Sequence, residues 1–324
     1  MTKLYESDIE LLVIEDLEAL GYEYVYGPQI APDGEAPERD SYANVVLENR
    51  LRNAITRLNP LIPNEAQQDA FNQVMRIASP ELLANNEAFH KLLTEGVTVE
   101  YQKDGQSRGD KVWLVDFSNY DSNEFLVVNQ FTIIEDNYTK RPDVLLFING
   151  LPLVVIELKN ATDENATLRG AYKQLQTYKE TIPSLFTFNA LCIISDGLEA
   201  KTGSVSAGFT RFMNWKTVDG LQDASHLDSQ IETLVKGGQL NKHTLLDLIR
   251  YFIVFEKSKN EDLKTGITTI DTVKKVAAYH QYYAVNKAVL STVKASATNG
   301  GQKRWSSLAY TRIGKIALNG FLHR

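Results

Sequence analysis

Two carboxylates and an ammonium stand at a spacing that suits metal-assisted hydrolysis of a phosphodiester. Asp143 follows Arg141-Pro142, thirteen residues intervene, and Glu157-Leu158-Lys159 completes the set. The intervening chain reads Val144-Leu-Leu-Phe-Ile148, Asn149-Gly150-Leu151-Pro152 and Leu153-Val-Val-Ile156, which predicts a strand, a tight Asn-Gly turn and a second strand. Such a hairpin folds Asp143 back toward Glu157. Side chains alternate across a strand, so Leu153, Val155, Glu157 and Lys159 share one face. Two neighbouring carboxylates hold a hard, oxygen-seeking ion such as Mg²⁺, which polarises a phosphate and lowers the pKa of a bound water. Lys159, a compact cation, is placed to orient that water or to offset charge developing on the phosphate. A surface hairpin with ordinary charged ends carries the same Glu-x-Lys by chance. The chemical reading gains from the setting: the polar triad converges at the mouth of a hairpin made otherwise of Val, Leu, Ile and Phe, where unpaired charges are costly.

These residues resemble the PD-(D/E)xK nuclease superfamily, and more closely the N-terminal nuclease region of the restriction (R, HsdR) subunit of type I restriction-modification enzymes. Beyond Pro142-Asp143 and Glu157-x-Lys159, the stretch Phe147-Ile-Asn-Gly-Leu-Pro-Leu-Val-Val-Ile-Glu-Leu-Lys-Asn160 resembles that family's signature almost residue for residue. Downstream, Gln174-Leu-Gln-Thr-Tyr178 matches the Gln-x-x-x-Tyr motif of these subunits and of RecB-like nucleases. The segment Thr167 to Lys179 reads as a helix whose four-residue spacing sets Gln174 and Tyr178 on one face, with Arg169 a turn earlier. Those three are expected to contact the DNA backbone or to buttress the carboxylates; a helix that packs Ala171, Leu175 and Tyr178 on a sheet and leaves Gln174 solvated is the bland counterpart. The first helix, about Glu6 to Leu20, carries the stripe Ile9, Leu12, Val13, Leu17 and Leu20. The resemblance implies a catalytic glutamate on this helix leaning into the site; Glu10 fits best, with Glu6 the runner-up. The metal ligands it implies are Asp143 and Glu157, and the cofactor Mg²⁺.

With 324 residues the chain is long enough for a substantial core and for more than one structural unit. One cysteine, Cys192, lies in an apolar run and has no internal disulfide partner, which fits cytoplasmic conditions. No stretch is apolar enough to span a membrane, and Met1-Thr-Lys-Leu-Tyr5 lacks a secretory pattern. A net charge of -7 argues against a chain that grips nucleic acid strongly alone, because non-specific affinity for DNA comes from cationic contacts with phosphate. Double-stranded DNA is therefore expected to be delivered by partners, which the resemblance makes the methyltransferase and specificity subunits of a type I complex. A local basic patch near Arg141, Lys159, Arg169 and Lys173 is compatible with that.

The order of elements predicts an α/β fold: a nuclease-like mixed sheet flanked by helices over residues 1–225. Strands are expected at Tyr22–Tyr26, Lys111–Phe117, Glu124–Ile134, the hairpin, and Ala190–Ser195. From about His226 the pattern reads as helical, over Leu227–Val235, Thr244–Phe255 and Thr272–Val293. Here Tyr279-His-Gln-Tyr-Tyr-Ala-Val285 resembles the entry into a helicase-like, RecA-like motor, in which Gln281 would read the adenine of ATP in a full-length subunit. In the family a phosphate-cradling loop follows; this chain instead ends Trp305-Ser-Ser-Leu-Ala-Tyr-Thr-Arg-Ile-Gly-Lys-Ile316 and onward to Arg324. Shifted by one base with permissible codons, Leu308 through Ile316 becomes Trp-His-Thr-Gln-Gly-Ser-Gly-Lys-Ser, so residues 304–324 are expected to be an out-of-frame tail and the motor to be truncated after 226–303. The expected function is a Mg²⁺-dependent DNA endonuclease domain of a type I R subunit that does not itself bind ATP. The alternatives are a non-catalytic docking fragment of the same complex and a free-standing repair nuclease.

Overall fold

The computed structural model describes residues 6–159, 167–224, 229–261 and 268–296. The 304–324 tail lies outside the described residues.

A six-stranded mixed sheet forms the centre, in the order β1 (Glu23–Tyr26), β4 (Phe125–Asn129), β7 (Val144–Ile148), β8 (Leu151–Leu158), β9 (Leu191–Ser195) and β10 (Ala200–Gly203). β1 runs parallel to β4 and β8 parallel to β9, while the other neighbours are antiparallel. The all-apolar runs seen in the sequence are explained by position: every residue of β4, β7 and β8 is buried, as befits strands covered on both faces. The turn between β7 and β8 is the expected Asn149-Gly150 pair, both left-handed, with φ of 51° and 80°. Glycine is required at the second position, since a Cβ there would lie 2.5 Å from the Leu47 carbonyl oxygen.

Helices α1 (Glu6–Ala19) and α5 (Leu168–Thr181) pack on this sheet. The Ile9, Val13 and Leu17 stripe of α1 is buried as expected, whereas Leu12 is half exposed. The Thr167 hydroxyl accepts from the Gly170 N–H at 3.2 Å and starts α5. Helices α2 (Glu48–Leu58), α3 (Asn64–Met75) and α4 (Leu82–Glu95) follow β1. Beyond α5 come the short helix α6 (Pro183–Thr187), a brief helical turn, α7 (Gln230–Glu232), and α8 (Lys242–Tyr251).

Three expectations are corrected. The strand expected over 111–117 is instead the end of a hairpin formed by β2 (Val97–Lys103) and β3 (Gln106–Val112). It stops because the Trp113 N–H turns to Asn59 Oδ1 (2.8 Å) and Asp116 organises a turn through the N–H groups of Ser118 and Asn119. The strand expected over 124–134 breaks at Gln130, whose φ of 54° is left-handed, and resumes in the small hairpin of β5 (Ile133–Glu135) and β6 (Tyr138–Lys140). The third concerns the helices expected over 244–255 and 272–293: α8 ends at Tyr251, β11 (Ile253–Glu261) and β12 (Thr268–Val276) pair antiparallel, and the last helix, α9, covers only Tyr279–Ser296. Ile253-Val254 and Ile270, Thr272, Val273 and Val276 are the β-branched residues that favour this outcome. The hairpin is pinned to the sheet body by Lys274, 2% exposed, whose Nζ donates to Asn86 Oδ1 (2.9 Å) and the Asn189 carbonyl (2.7 Å). Residues of the C-terminal half share one core with the sheet, and the buried Tyr22 hydroxyl donates to the Leu240 carbonyl at 2.9 Å.

Candidate active site

The β7–β8 hairpin does what its sequence implies. Val144 pairs with Ile156, so Asp143 and Glu157 sit side by side just beyond that pair. The Leu158 N–H donates to Asp143 Oδ2 at 2.7 Å, which fixes the aspartate against the neighbouring strand. On the other side, the Lys159 N–H donates to the Ser195 carbonyl at 2.8 Å, continuing the parallel ladder with β9. The end of β8 is therefore held from both flanks. The Lys159 ammonium donates to Glu157 Oε1 and to the Leu158 carbonyl, each at 2.8 Å. Glu157 is 1% exposed, and its Oε2 has no hydrogen-bond partner among the described residues.

The electrostatics follow from this placement. Burial, reinforced by the negative charge of Asp143 and opposed by Lys159, pushes the Glu157 carboxyl up to about 8. Without a cation the two carboxylates resist simultaneous ionisation. Tyr178, on the buried face of α5, has its phenol raised above the ordinary tyrosine range, first by burial and then by the Glu157 charge. Its hydroxyl donates to the Arg141 carbonyl at 3.3 Å, tethering α5 to the residue two places before Asp143. Gln174 faces the same phenol and lowers its pKa by hydrogen bonding. Gln174, Tyr178, Glu157, Asp143 and Lys159 thus form one cluster.

The donor set fits a divalent hard cation. A buried carboxylate oxygen without a partner, beside a second carboxylate, is an unfavourable arrangement that a cation relieves. Among the described residues no three His, Cys, Asp or Glu side chains converge to hold a metal, so the site offers two carboxylates. That count suits Mg²⁺, which keeps several waters and binds through one or two carboxylates plus phosphate.

Other expected site residues lie elsewhere. Glu10 is buried on α1 and its carboxylate accepts from Asn129 Nδ2 (2.6 Å) and from Gln130 Nε2 (3.2 and 3.0 Å). The side chain of Glu6, the runner-up, lies outside the described residues. Arg169 is exposed and stacks its guanidinium 4.6 Å above the Phe209 ring. Gln281 accepts from the Ala278 N–H at 2.9 Å, the back-bond of a capping box at the start of α9. It also lines a cavity of about 450 Å³ between residues 202–215 and 273–281. Sequence reasoning missed Asn129 and Gln130. The signal is an amide pair ending an otherwise apolar strand, which strand alternation alone does not distinguish from continuation.

A mixed sheet flanked by helices, with two carboxylates and a lysine clustered at the open end of its central hairpin, defines an α/β protein. Residues 3–211 match the family model of the type I restriction enzyme R protein N terminus, and the chain belongs to that family. It is 41% identical over 303 residues to the type I restriction enzyme HindI endonuclease subunit of Haemophilus influenzae, covering 93% of this chain and 28% of that one. It is 33% identical over 292 residues to a protein of Methanocaldococcus jannaschii provisionally named the type I restriction enzyme MjaIXP endonuclease subunit, covering 89% of this chain and 28% of the relative. The chain therefore spans 28% of the length of each. Among the described residues no helix is long and apolar enough to cross a membrane.

Proposed function

We propose that this chain is the Mg²⁺-dependent DNA endonuclease region of a type I restriction enzyme R subunit, with a PD-(D/E)xK site formed by Asp143, Glu157 and Lys159. The observation that carries the reading is the buried, unpartnered Oε2 of Glu157 beside Asp143 and 2.8 Å-bonded to Lys159 through its other oxygen. Asp143 and Glu157 would hold the ion, whose chemistry when bound is to polarise the scissile phosphate and acidify a water. Asp143 is kept in place by the Leu158 N–H and by the tether from Tyr178 to the Arg141 carbonyl. Lys159 is one-quarter exposed at its side chain, so its ammonium reaches solvent while touching Glu157. From there it orients an attacking water and offsets charge developing on the phosphate oxygens. Tyr178, buried and tied to the Arg141 carbonyl, buttresses the carboxylates, and the partly exposed Gln174 beside it contacts the DNA backbone. Arg169, exposed on the first turn of α5, adds a cation for that backbone.

Duplex DNA is the substrate in this reading, presented by methyltransferase and specificity subunits, because a chain of net charge -7 does not concentrate DNA by itself. We extend the proposal to Gln281 as an adenine contact in a full-length subunit with a RecA-like motor. The test is plasmid nicking with Mg²⁺, with and without the cognate methyltransferase complex, for the wild type and Lys159→Ala. Cleavage by the wild type and its loss in the variant are expected. Equal cleavage by both refutes the role of the lysine, and no cleavage under either condition refutes the function.

A further inference from the structure

Glu10 approaches the site from the opposite side of the sheet. Asn129 on β4 pairs with Val144 on β7, which pairs with Ile156 on β8. Residues directly opposite in antiparallel strands share a face, so these three side chains point to one side. That side is α1's, because Asn129 Nδ2 donates to Glu10 Oε1 at 2.6 Å. Glu157, the residue after Ile156, points the other way, toward Tyr178 on α5. A side chain from α1 therefore meets the metal-binding face only around the end of the sheet.

What lies around that end is Gln130. Its left-handed φ of 54° breaks the alternation, so that its side chain turns back to the Glu10 carboxylate, at 3.2 Å from Oε1 and 3.0 Å from Oε2. Its backbone N–H meanwhile donates to the Asp143 carbonyl at 3.3 Å. The orientation of the neighbouring amide is set independently: the Tyr24 hydroxyl donates to Asn129 Oδ1 at 3.0 Å, which leaves Nδ2 for Glu10. The Glu10 carboxylate, in a residue 8% exposed, thus accepts three hydrogen bonds from two neutral amides, with both oxygens engaged. Glu10 does not join Asp143 and Glu157 in any group of three metal-capable side chains among the described residues.

We propose that Glu10 is a positioning residue and not a metal ligand: with Asn129 it anchors Gln130, and Gln130 in turn sets the backbone of Asp143. The proposal rests on the reading of Asp143 and Glu157 as the metal ligands. A left-handed, non-glycine residue is held in place only where its surroundings over-determine it, and the double grip on the Gln130 amide supplies that constraint. Removing the grip lets the Gln130 turn relax and blurs the position of Asp143.

The test is Mn²⁺ titration calorimetry on the 324-residue chain, performed well below each variant's melting midpoint so that unfolding makes no contribution. Wild type, Asp143→Ala, Glu10→Ala, Glu10→Gln, Gln130→Ala and the Glu10→Ala/Gln130→Ala double variant are compared. Glu10→Ala and Gln130→Ala should each weaken Mn²⁺ by about tenfold, as loss of an orienting contact does. The double variant should be no weaker than either single one, because both act through one contact. Glu10→Gln should recover most of the affinity: its carbonyl still accepts from Asn129, and Gln130 can flip its amide to pair with it. The proposal is overturned if Glu10→Gln loses as much as Asp143→Ala, which is the behaviour of a ligand. Losses that multiply in the double variant, or no loss in Glu10→Ala, overturn it too. In those cases binding that still depends on Asp143 leaves the metal site standing. A wild type that does not bind Mn²⁺ removes both.

Discussion

Glu157→Gln should alter the slope of stability with pH more than stability itself. In the folded chain, burial and the Asp143 charge raise the Glu157 carboxyl from an ordinary 4.5 to about 8. A group whose folded pKa is raised holds its proton more tightly folded than unfolded. Its stabilising contribution is fully present below about 4.5 and is lost as pH rises through about 8. Each pKa unit corresponds to about 1.4 kcal/mol, so the wild type should lose about 3 kcal/mol between about pH 5 and about pH 8 from this one group. That is a large share of the stability of an ordinary domain. Glutamine has no proton to release, and other titrating groups cancel in the difference between the two chains. Urea unfolding in the presence of EDTA at intervals of about one pH unit gives that difference directly. Glu157→Gln should gain on the wild type steadily as pH rises. Parallel curves refute the reasoning, and a wild type that gains on the variant means Lys159 outweighs burial and holds Glu157 ionised.

Lys159→Ala should leave Mn²⁺ binding within a few-fold and remove DNA cleavage by the reconstituted enzyme; normal cleavage would show that the ammonium does not act on the water or transition state. Tyr178→Phe deletes the hydroxyl that reaches the Arg141 carbonyl, and single-turnover cleavage should slow by roughly tenfold with DNA affinity unchanged. Gly150→Ala combines a φ of 80° with a Cβ placed 2.5 Å from the Leu47 carbonyl oxygen, and should cost roughly 3 kcal/mol in urea unfolding. For Lys274, burial lowers the ammonium to about 7, so the folded state binds fewer protons than the unfolded one between about 7 and 10.5 and stability rises with pH across that window. Relative to Lys274→Met, the wild type should gain about 2 kcal/mol from about pH 7 to about pH 9, and a pH-independent difference would show that the buried amine is not destabilised by its surroundings.

How far the sequence could be read varied with the range of the forces involved. The β7–β8 hairpin was legible because turn chemistry and apolar runs are local: Asn149-Gly150 specifies a left-handed pair, and residues buried on both faces leave no polar alternation. Gln174 and Tyr178 followed from helical spacing, which α5 obeys. The β11–β12 hairpin was not legible in the same way, since the apolar rhythm of α8 and α9 extends into its two ends, residues 253–255 and 272–276. What holds it against the sheet is Lys274, and only the folded structure brings that lysine to Asn86, 188 positions away. The Asn129–Gln130 pair was hidden for a related reason. Its partners are Glu10, 119 and 120 positions distant, and a backbone turn that alternation alone does not foretell. Arg169 shows what helical phase leaves out: it stands a turn before Gln174 and is exposed, but the Phe209 ring under its guanidinium comes from far along the chain.

The proposed chemistry requires a cation held between Asp143 and Glu157, and anomalous diffraction from crystals of this chain soaked in Mn²⁺ tests that most directly. One strong peak is expected within coordination distance of a carboxylate oxygen of each residue, with Glu157 Oε2 among the ligands. A peak elsewhere, or density showing that Glu157 Oε2 keeps no metal at saturating Mn²⁺, would contradict it.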